Sequence, residues 1–413
     1  MTTASATLAA PRAAFREVWL VSAGHCLTHW YPATFYILLP LIGQELGLSY
    51  SQIGLVMTCQ FIAGAVSNIP GGMVVDSVAR KGFLLALSLF WIGFPYLLMG
   101  MSHHYWMLLA CSALVGIGNN LWHPAAIPTL ARRFPARKGL VLSMHNMGGN
   151  VGDAIAPLAV GALLGALTWR QIVVANLAPG IIISFLILSF LGTWSVGVEG
   201  AGRQPRRLSD HVSGLMDLLR DRAVVVLVTS SMFRAMTQST LLVFLPLFLT
   251  REMGYSPFAV GMCLFLLQAA GFAAAPIAGH LSDRMGRGRI VMSSMAMTAV
   301  VLAFMAIAGA SPVFVFFIGL LGFFLYALRP VLQAWLLEAS PQNRGGTSIG
   351  VLFGAQALGS AVAPAAAGLL SDRYGLSAMF WFVTATIVVA NLLILLLPNK
   401  EDPPRQIPRG KAA

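Results

Sequence analysis

Apolar stretches of about 20 residues, the length a helix needs to span hydrocarbon, recur along the chain. They lie near 18–42, 51–75, 82–101, 104–130, 140–166, 172–194, 223–249, 257–280, 290–309, 312–338, 346–370 and 377–397, separated by short polar or basic runs. The pattern predicts an all-α membrane protein of twelve transmembrane helices. It is not that of an outer-membrane barrel, which alternates in segments of about ten residues.

Composition agrees. Hydrophobic residues are 57% of the 413 positions and charged residues 10%, against about 25% charged in a soluble domain. With both termini placed in the cytoplasm, nearly all Lys and Arg fall on that side. They include Arg12, Arg16, Arg80, Lys81, Arg132, Arg133, Arg137, Lys138, Arg284, Arg287, Arg289 and Arg344. Only Arg170, Arg251 and Arg373 fall outside, and Arg234 and Arg329 lie within spans. This positive-inside bias points to a multi-pass protein of a bacterial inner membrane. It also accounts for the net charge of +12 without nucleic acid as a partner; anionic lipid faces the basic loops instead. The first span carries His25 and His29, is long, and has no cleavage site after it, so it reads as retained. Cys26, Cys59, Cys111 and Cys263 sit in apolar segments with no CxxC pair, and predict neither disulfides nor a metal site.

The chain repeats itself at an offset of 207 residues. Glu45, Gly47, Ser49, Gly54 and Gly64 recur as Glu252, Gly254, Ser256, Gly261 and Gly271; Gly152, Ala156, Pro157 and Gly161 recur as Gly359, Ala363, Pro364 and Gly368. Six spans per repeat keep the two halves in the same orientation, a parallel repeat. The expected domains are an N-terminal half (1–193), a cytoplasmic linker (194–222), a C-terminal half (223–398) and a cytoplasmic tail (399–413). Leu215, Leu218 and Leu219 at helical spacing suggest a short helix on the membrane within the linker, alongside the plainer reading of a flexible connection.

Two loops at the repeat offset carry one motif. The first runs from Gly72 through Asp76 to Arg80; the second from Gly279 through Asp283, Arg284 and Gly286 to Arg287. Both resemble the GxxxDRxGRR signature of the major facilitator superfamily, the first with Ser77 after Asp76 and Ala79 for Gly. An Asp at a helix end can pair with a neighbouring Arg. In that family the arrangement latches the cytoplasmic side, so Asp76, Arg80, Asp283, Arg284 and Arg287 are expected gating residues. A structural turn is the plainer reading. Gly152–Gly161 and Gly359–Gly368 both read GxxxAPxxxG, which resembles a motif of proton-coupled drug antiporters with Ala for its second Gly. Small residues four apart let helices approach, and an internal Pro bends a span. Gly152, Pro157, Gly359 and Pro364 are therefore expected hinge and packing positions.

A closer resemblance is to the fosmidomycin-resistance exporters of this superfamily. It rests on His25 before Pro40, on Gly116-Ile-Gly118 through His123-Pro124, and on His145-Asn146-Met-Gly148-Gly149-Asn150-Val-Gly152. Arg234 ahead of Phe244-Leu-Pro246, and Glu338 through Pro341 to Gly345, extend it along the chain. It implies export of small antibiotics and related compounds by proton antiport, with no cofactor. Two departures stand out. Thr28 and His29 replace the Asn-Asp that often follows the first-helix His, and Asp153 occupies helix 5 where small polar residues are usual.

Ionisable residues deep in hydrocarbon are costly and are functional candidates by default. His25, His29, His123, Asp153, Arg234 and Arg329 are the expected substrate- and proton-binding residues. Two buried Arg against one Asp suggest an anion site, since guanidinium grips carboxylate or phosphonate at two points. The alternatives are that Arg234 or Arg329 pairs with Asp153 or with backbone carbonyls and only holds the halves together, or that Asp153 makes a structural bond to Asn150 or Asn176. The expected function is proton-coupled efflux of a small anionic compound by a monomer. Import of a small carboxylate uses the same parts. A copper permease rests only on Met232 and Met236, two thioethers on one helix face. No catalytic motif appears, so an enzyme is not expected.

Overall fold

The computed structural model describes residues 12–194, 216, 218–341 and 345–397, without the side chains of 12–14, 68, 69, 72, 76, 120, 345 and 346. Twelve helical segments follow one another in this part of the chain. In the first half they are α1 (Arg12–Glu45), α2 (Tyr50–Ser77), α3 (Lys81–Gly100), α4 (Tyr105–Arg133), α5 (Lys138–Leu163) and α6 (Trp169–Leu191). In the second they are α7 (Arg222–Arg251), α8 (Pro257–Met285), α9 (Arg287–Ala308), α10 (Phe314–Ala339), α11 (Gly345–Tyr374) and α12 (Ala378–Ile394). Each falls on a stretch the apolar pattern marks. Seven are long and apolar enough to cross a membrane by themselves, namely α3 and α6 to α11, while α12 is apolar but shorter. The other four, α1, α2, α4 and α5, are long but carry polar residues: His25 and His29, Gln60, His123, and His145 with Asp153. Large side chains such as Phe185, Ile307, Phe316 and Trp106 lie exposed on the outside of the bundle, as lipid requires and water does not. The expected linker helix falls mostly outside the described residues, as do 203–207 and the tail. Of its three leucines, Leu218 is buried and Leu219 exposed.

Two spans are broken by proline. Pro has no N–H, and its ring clashes with the carbonyl four residues earlier. The regular helix of α6 stops at Ala175, four before Pro179, and that of α10 stops at Tyr326, four before Pro330. Beside the first break, the Asn176 carbonyl accepts from the Tyr31 hydroxyl (3.0 Å). The second break lies just before Arg329.

Within the first half α1 packs on α5, α2 on α4, and α3 on α4 and α6; within the second, α7 packs on α11, α8 on α10, and α9 on α10 and α12. The same six-helix unit is thus built twice. The halves meet along two seams, α2 with α11 and α5 with α8. Glycines make the seams close. A Cβ on Gly54 would stand 2.3 Å from the Pro364 carbonyl oxygen, and one on its repeat mate Gly261 would stand 2.3 Å from the Pro157 carbonyl oxygen. Gly161 against Pro257 and Gly368 against Tyr50 (both 2.5 Å) repeat the exchange nearer the helix ends. Gly161, Gly368, Pro157 and Pro364 of the repeated motif therefore form packing surface between the halves, whereas Gly152 and Gly359 pack within their own half, against Cys26 and Met232.

Among the described residues, the seams are tied together at the end holding the 46–49 and 253–256 turns. There the Thr58 hydroxyl donates to the Ala361 carbonyl (2.6 Å) and Arg251 lies over the Tyr50 ring. Asp372, in the last turn of α11, accepts from the Tyr50 and Ser51 backbone N–H groups (2.8 and 2.9 Å) and from the Ser51 hydroxyl. Ser49 takes the Gln52 N–H, so the first donors of α2 are capped partly by its own half and partly by the other. The repeat-related place has lost both partners: Gly165 stands for Asp372, and Pro257, which has no N–H, stands for Tyr50. At the opposite end of the same four helices, Gly139, Gly279, Gly350 and Gly354 face open space. Among the described residues, the cross-half hydrogen bonds thus gather at one end.

Candidate functional site

Small residues on α5 bring it against α1. Cβ atoms on Gly148 and Gly152 would lie 2.2 Å from the carbonyl oxygens of Ser22 and Cys26. Between them, Gly149 lies directly under the rings of His25 and His29. The Gly-Gly-Asn-x-Gly element thus seats two histidines of α1 on α5.

Four of the chain's eight His residues gather here. His25 Nδ1 donates to the His145 carbonyl oxygen (2.6 Å), and the two rings stack with centroids 3.9 Å apart. His25 Nε2 lies 3.0 Å from His123 Nε2, which α4 supplies. His29 Nδ1 meets Asp153 Oδ2 at 2.9 Å. His25 and His145 are buried, whereas His29 and Asp153 are about a quarter to a third exposed. Both nitrogens of His145 are buried without a hydrogen-bond partner.

The second half faces this cluster with positive charge. Arg234 on α7 is 2% exposed; one of its terminal nitrogens donates to Gln238 Oε1 (2.9 Å), and its Nε has no hydrogen-bond partner among the described residues. Arg329 on α10 is close enough to bear electrostatically on both Arg234 and His123. Tyr326, one turn before it, feels the charges of both Asp153 and Arg234, and its hydroxyl lies beside Gln238. The polar set thus spans both halves: His and Asp from α1, α4 and α5, Arg and Tyr from α7 and α10.

All six expected binding residues therefore come together. One detail, the exposure of Arg329, differs from the sequence reading, and two of its alternatives are set aside. Asp153 pairs with His29 rather than with an Arg, Asn150 or Asn176; Asn176 instead accepts from the Trp30 indole (3.0 Å). Arg329 is exposed rather than buried. Met232 and Met236 pack beside Gly359, where α7 meets α11, so their face is a helix contact.

Away from the centre, Arg287 pairs with Asp283 (2.5 Å) and with Glu338 (3.1 Å), tying the α8–α9 turn to the end of α10. These groups all belong to the second half. Arg284 is exposed; the side chain of Asp76 lies outside the described residues, and Arg80 begins α3. One cross-half contact, that of Asp372, was missed in the sequence, although its signal was present. Gly368-Leu-Leu-Ser-Asp372-Arg373-Tyr-Gly375 repeats the pattern of Gly279-His-Leu-Ser-Asp283-Arg284-Met-Gly286. Both final glycines have positive φ, 85° and 93°. The copy at 368–375 supplies the carboxylate that caps α2.

Two parallel six-helix halves, with charged residues facing each other between them, define a polytopic transporter rather than an enzyme. Residues 19–237 and 227–413 match the Major Facilitator Superfamily, and the chain belongs to it. It is 27% identical to multidrug resistance protein MdtG of Escherichia fergusonii (86% of this chain, 87% of the relative). It is 22% identical to the fosmidomycin resistance protein of Escherichia coli (96% of each) and 23% identical to the phosphoglycerate transporter protein of Salmonella typhimurium (88% and 84%). Among solved structures it superposes on a bacterial homolog of the human lysosomal transporter Spinster, in an inward-facing, unoccupied conformation. The TM-score is 0.80 at 16% identity, over 94% of this chain and 97% of that one.

Proposed function

We propose that this transporter exports a small anionic organic compound in exchange for protons. The observation that carries the reading is the pair Arg234 and Arg329 set opposite the His29–Asp153 pair across the two halves. Arg234 keeps an unpartnered buried Nε, and a buried charge short of partners is expensive until an anion arrives. Asp153 and His29, on the facing half, are the titratable pair suited to carry the proton. With the positive-inside orientation the tied end faces outside, which supports an inward-facing state that loads cargo from the cell. The relatives named for fosmidomycin resistance and for phosphoglycerate transport support an anionic cargo, a phosphonate or phosphate ester included.

The phosphoglycerate relative also favours a second reading, import of a small anion through the same Arg pair. Everted vesicles and right-side-out proteoliposomes, each with an imposed pH gradient, separate the two. The panel is a phosphonate, a carboxylate, a phosphate ester and a lipophilic cation. Proton-driven accumulation in everted vesicles is the expected result. Arg329→Gln should weaken apparent affinity by about 10- to 100-fold, the worth of a charged hydrogen bond, with Arg329→Lys in between. Transport of the lipophilic cation, unaffected by Arg329→Gln, would refute the anion site.

A further inference from the structure

The hydrogen bonds around the histidine cluster fix which ring nitrogens carry hydrogen. A backbone carbonyl only accepts, so His25 Nδ1, 2.6 Å from the His145 oxygen, is an N–H. An ionised carboxylate only accepts, so His29 Nδ1, beside Asp153, is an N–H as well. In the neutral rings, Nε2 of His25 and Nε2 of His29 are then both bare lone pairs. His123 brings its own Nε2 to 3.0 Å from that of His25. One nitrogen from each of the three rings falls within 4.8 Å of the others.

From this geometry we propose that His25, His29 and His123 form a binding site for a divalent transition-metal ion. Two imidazole nitrogens held about 2.0–2.1 Å from one ion stand roughly 3–3.4 Å apart, which the His25–His123 separation already meets. Closing the widest gap requires His29, which is partly exposed, to move in by about 1.5 Å. Nitrogen ligands without thiolate or thioether suit zinc, nickel or cobalt, not Cu(I), calcium or magnesium. The partners of the two Nδ1 atoms form the outer layer such sites use: a carboxylate behind one ligand histidine and a backbone carbonyl behind the other, each fixing tautomer and ring orientation. Gly149 contributes by omission. A Cβ there would stand 3.0 Å from His29 Nε2 and 2.8 Å from His25 Cε1, in the space beside the donor atoms. Three protein ligands leave a further coordination position free. Arg329, which bears on His123, opposes a bare cation, and the Asp153 carboxylate offsets it.

The test uses purified, metal-stripped full-length protein in detergent, titrated with Zn²⁺, Co²⁺ and Mg²⁺ by calorimetry and, for Co²⁺, by visible absorption. The expected result is one equivalent of Zn²⁺ or Co²⁺ bound, a Co²⁺ spectrum of nitrogen ligation that Zn²⁺ abolishes, and no response to Mg²⁺. His123→Gln should remove the site, and Asp153→Asn should weaken it by about 10- to 100-fold while retaining the ligands. The exposed-loop variant His103→Gln should bind as the parent does. The Co²⁺ spectrum of the unaltered protein needs no variant to fold. A parent protein that shows no stoichiometric Co²⁺ ligation would overturn the proposal and leave the cluster to share a proton only. Undiminished binding in a folded His25→Gln/His123→Gln protein would overturn it equally.

Discussion

The tied end of the bundle can be forced open by a single methyl group. In Gly261→Ala the new Cβ would meet the Pro157 carbonyl oxygen at 2.3 Å and the Pro157 carbonyl carbon at 2.9 Å. Ordinary contact begins at 3.4 Å, so α5 and α8 must part by about 1 Å. The opposing atoms are backbone, and no flexible side chain can swing away. Overpacking of this kind costs about 1–3 kcal/mol, charged only to the state in which this seam is closed. The equilibrium between the two access states should shift by about 5- to 150-fold toward the one sealed at the other end. Gly54→Ala does the same to the α2–α11 seam, and the double variant should shift further. Spin labels in the 46–48 and 253–255 turns of a cysteine-free background report the distance between halves. The long-distance population should grow in each single variant and grow again in the double. Folded variants whose distance distributions match the parent's would refute the claim that these glycines hold the halves together.

Asp372→Asn removes the charge from the cross-half cap of α2; it should shift the same equilibrium in the same direction by about 1 kcal/mol, less than the glycine variants, and the same label pair measures it. Asp283→Asn breaks the link through Arg287 to Glu338; vesicle transport should fall several-fold while membrane expression, read by immunoblot, stays near the parent's. Asp153→Asn and His29→Gln each remove one member of the partly exposed pair. At least one should abolish gradient-driven transport and spare counterflow exchange, and full coupling in both would move proton carriage to His25 or His123.

Much of this molecule is local in origin. The cost of leaving polar backbone in hydrocarbon depends on runs of neighbouring side chains, so the twelve stretches were legible one window at a time. The breaks in α6 and α10 follow from Pro179 and Pro330, four residues on. The equivalence of Gly54 with Gly261 and of Pro157 with Pro364 was visible as a spacing, and so was the candidate set of six ionisable residues. Partner choice was not legible. His25 meets a carbonyl 120 residues away and His29 a carboxylate 124 residues away, and no local period carries that information. Only the approach of α5 to α1, permitted by Gly148, Gly149 and Gly152, decided that Asp153 faces a histidine instead of an arginine. The same holds for Asp372. Its motif stands in the sequence, but its role as a cap on α2, 321 and 322 residues away, exists only because the two halves pack with the seams closed at that end. Hydrophobic transfer and proline sterics act between near neighbours along the chain, whereas hydrogen bonds between spans wait on which helices the small residues allow to touch.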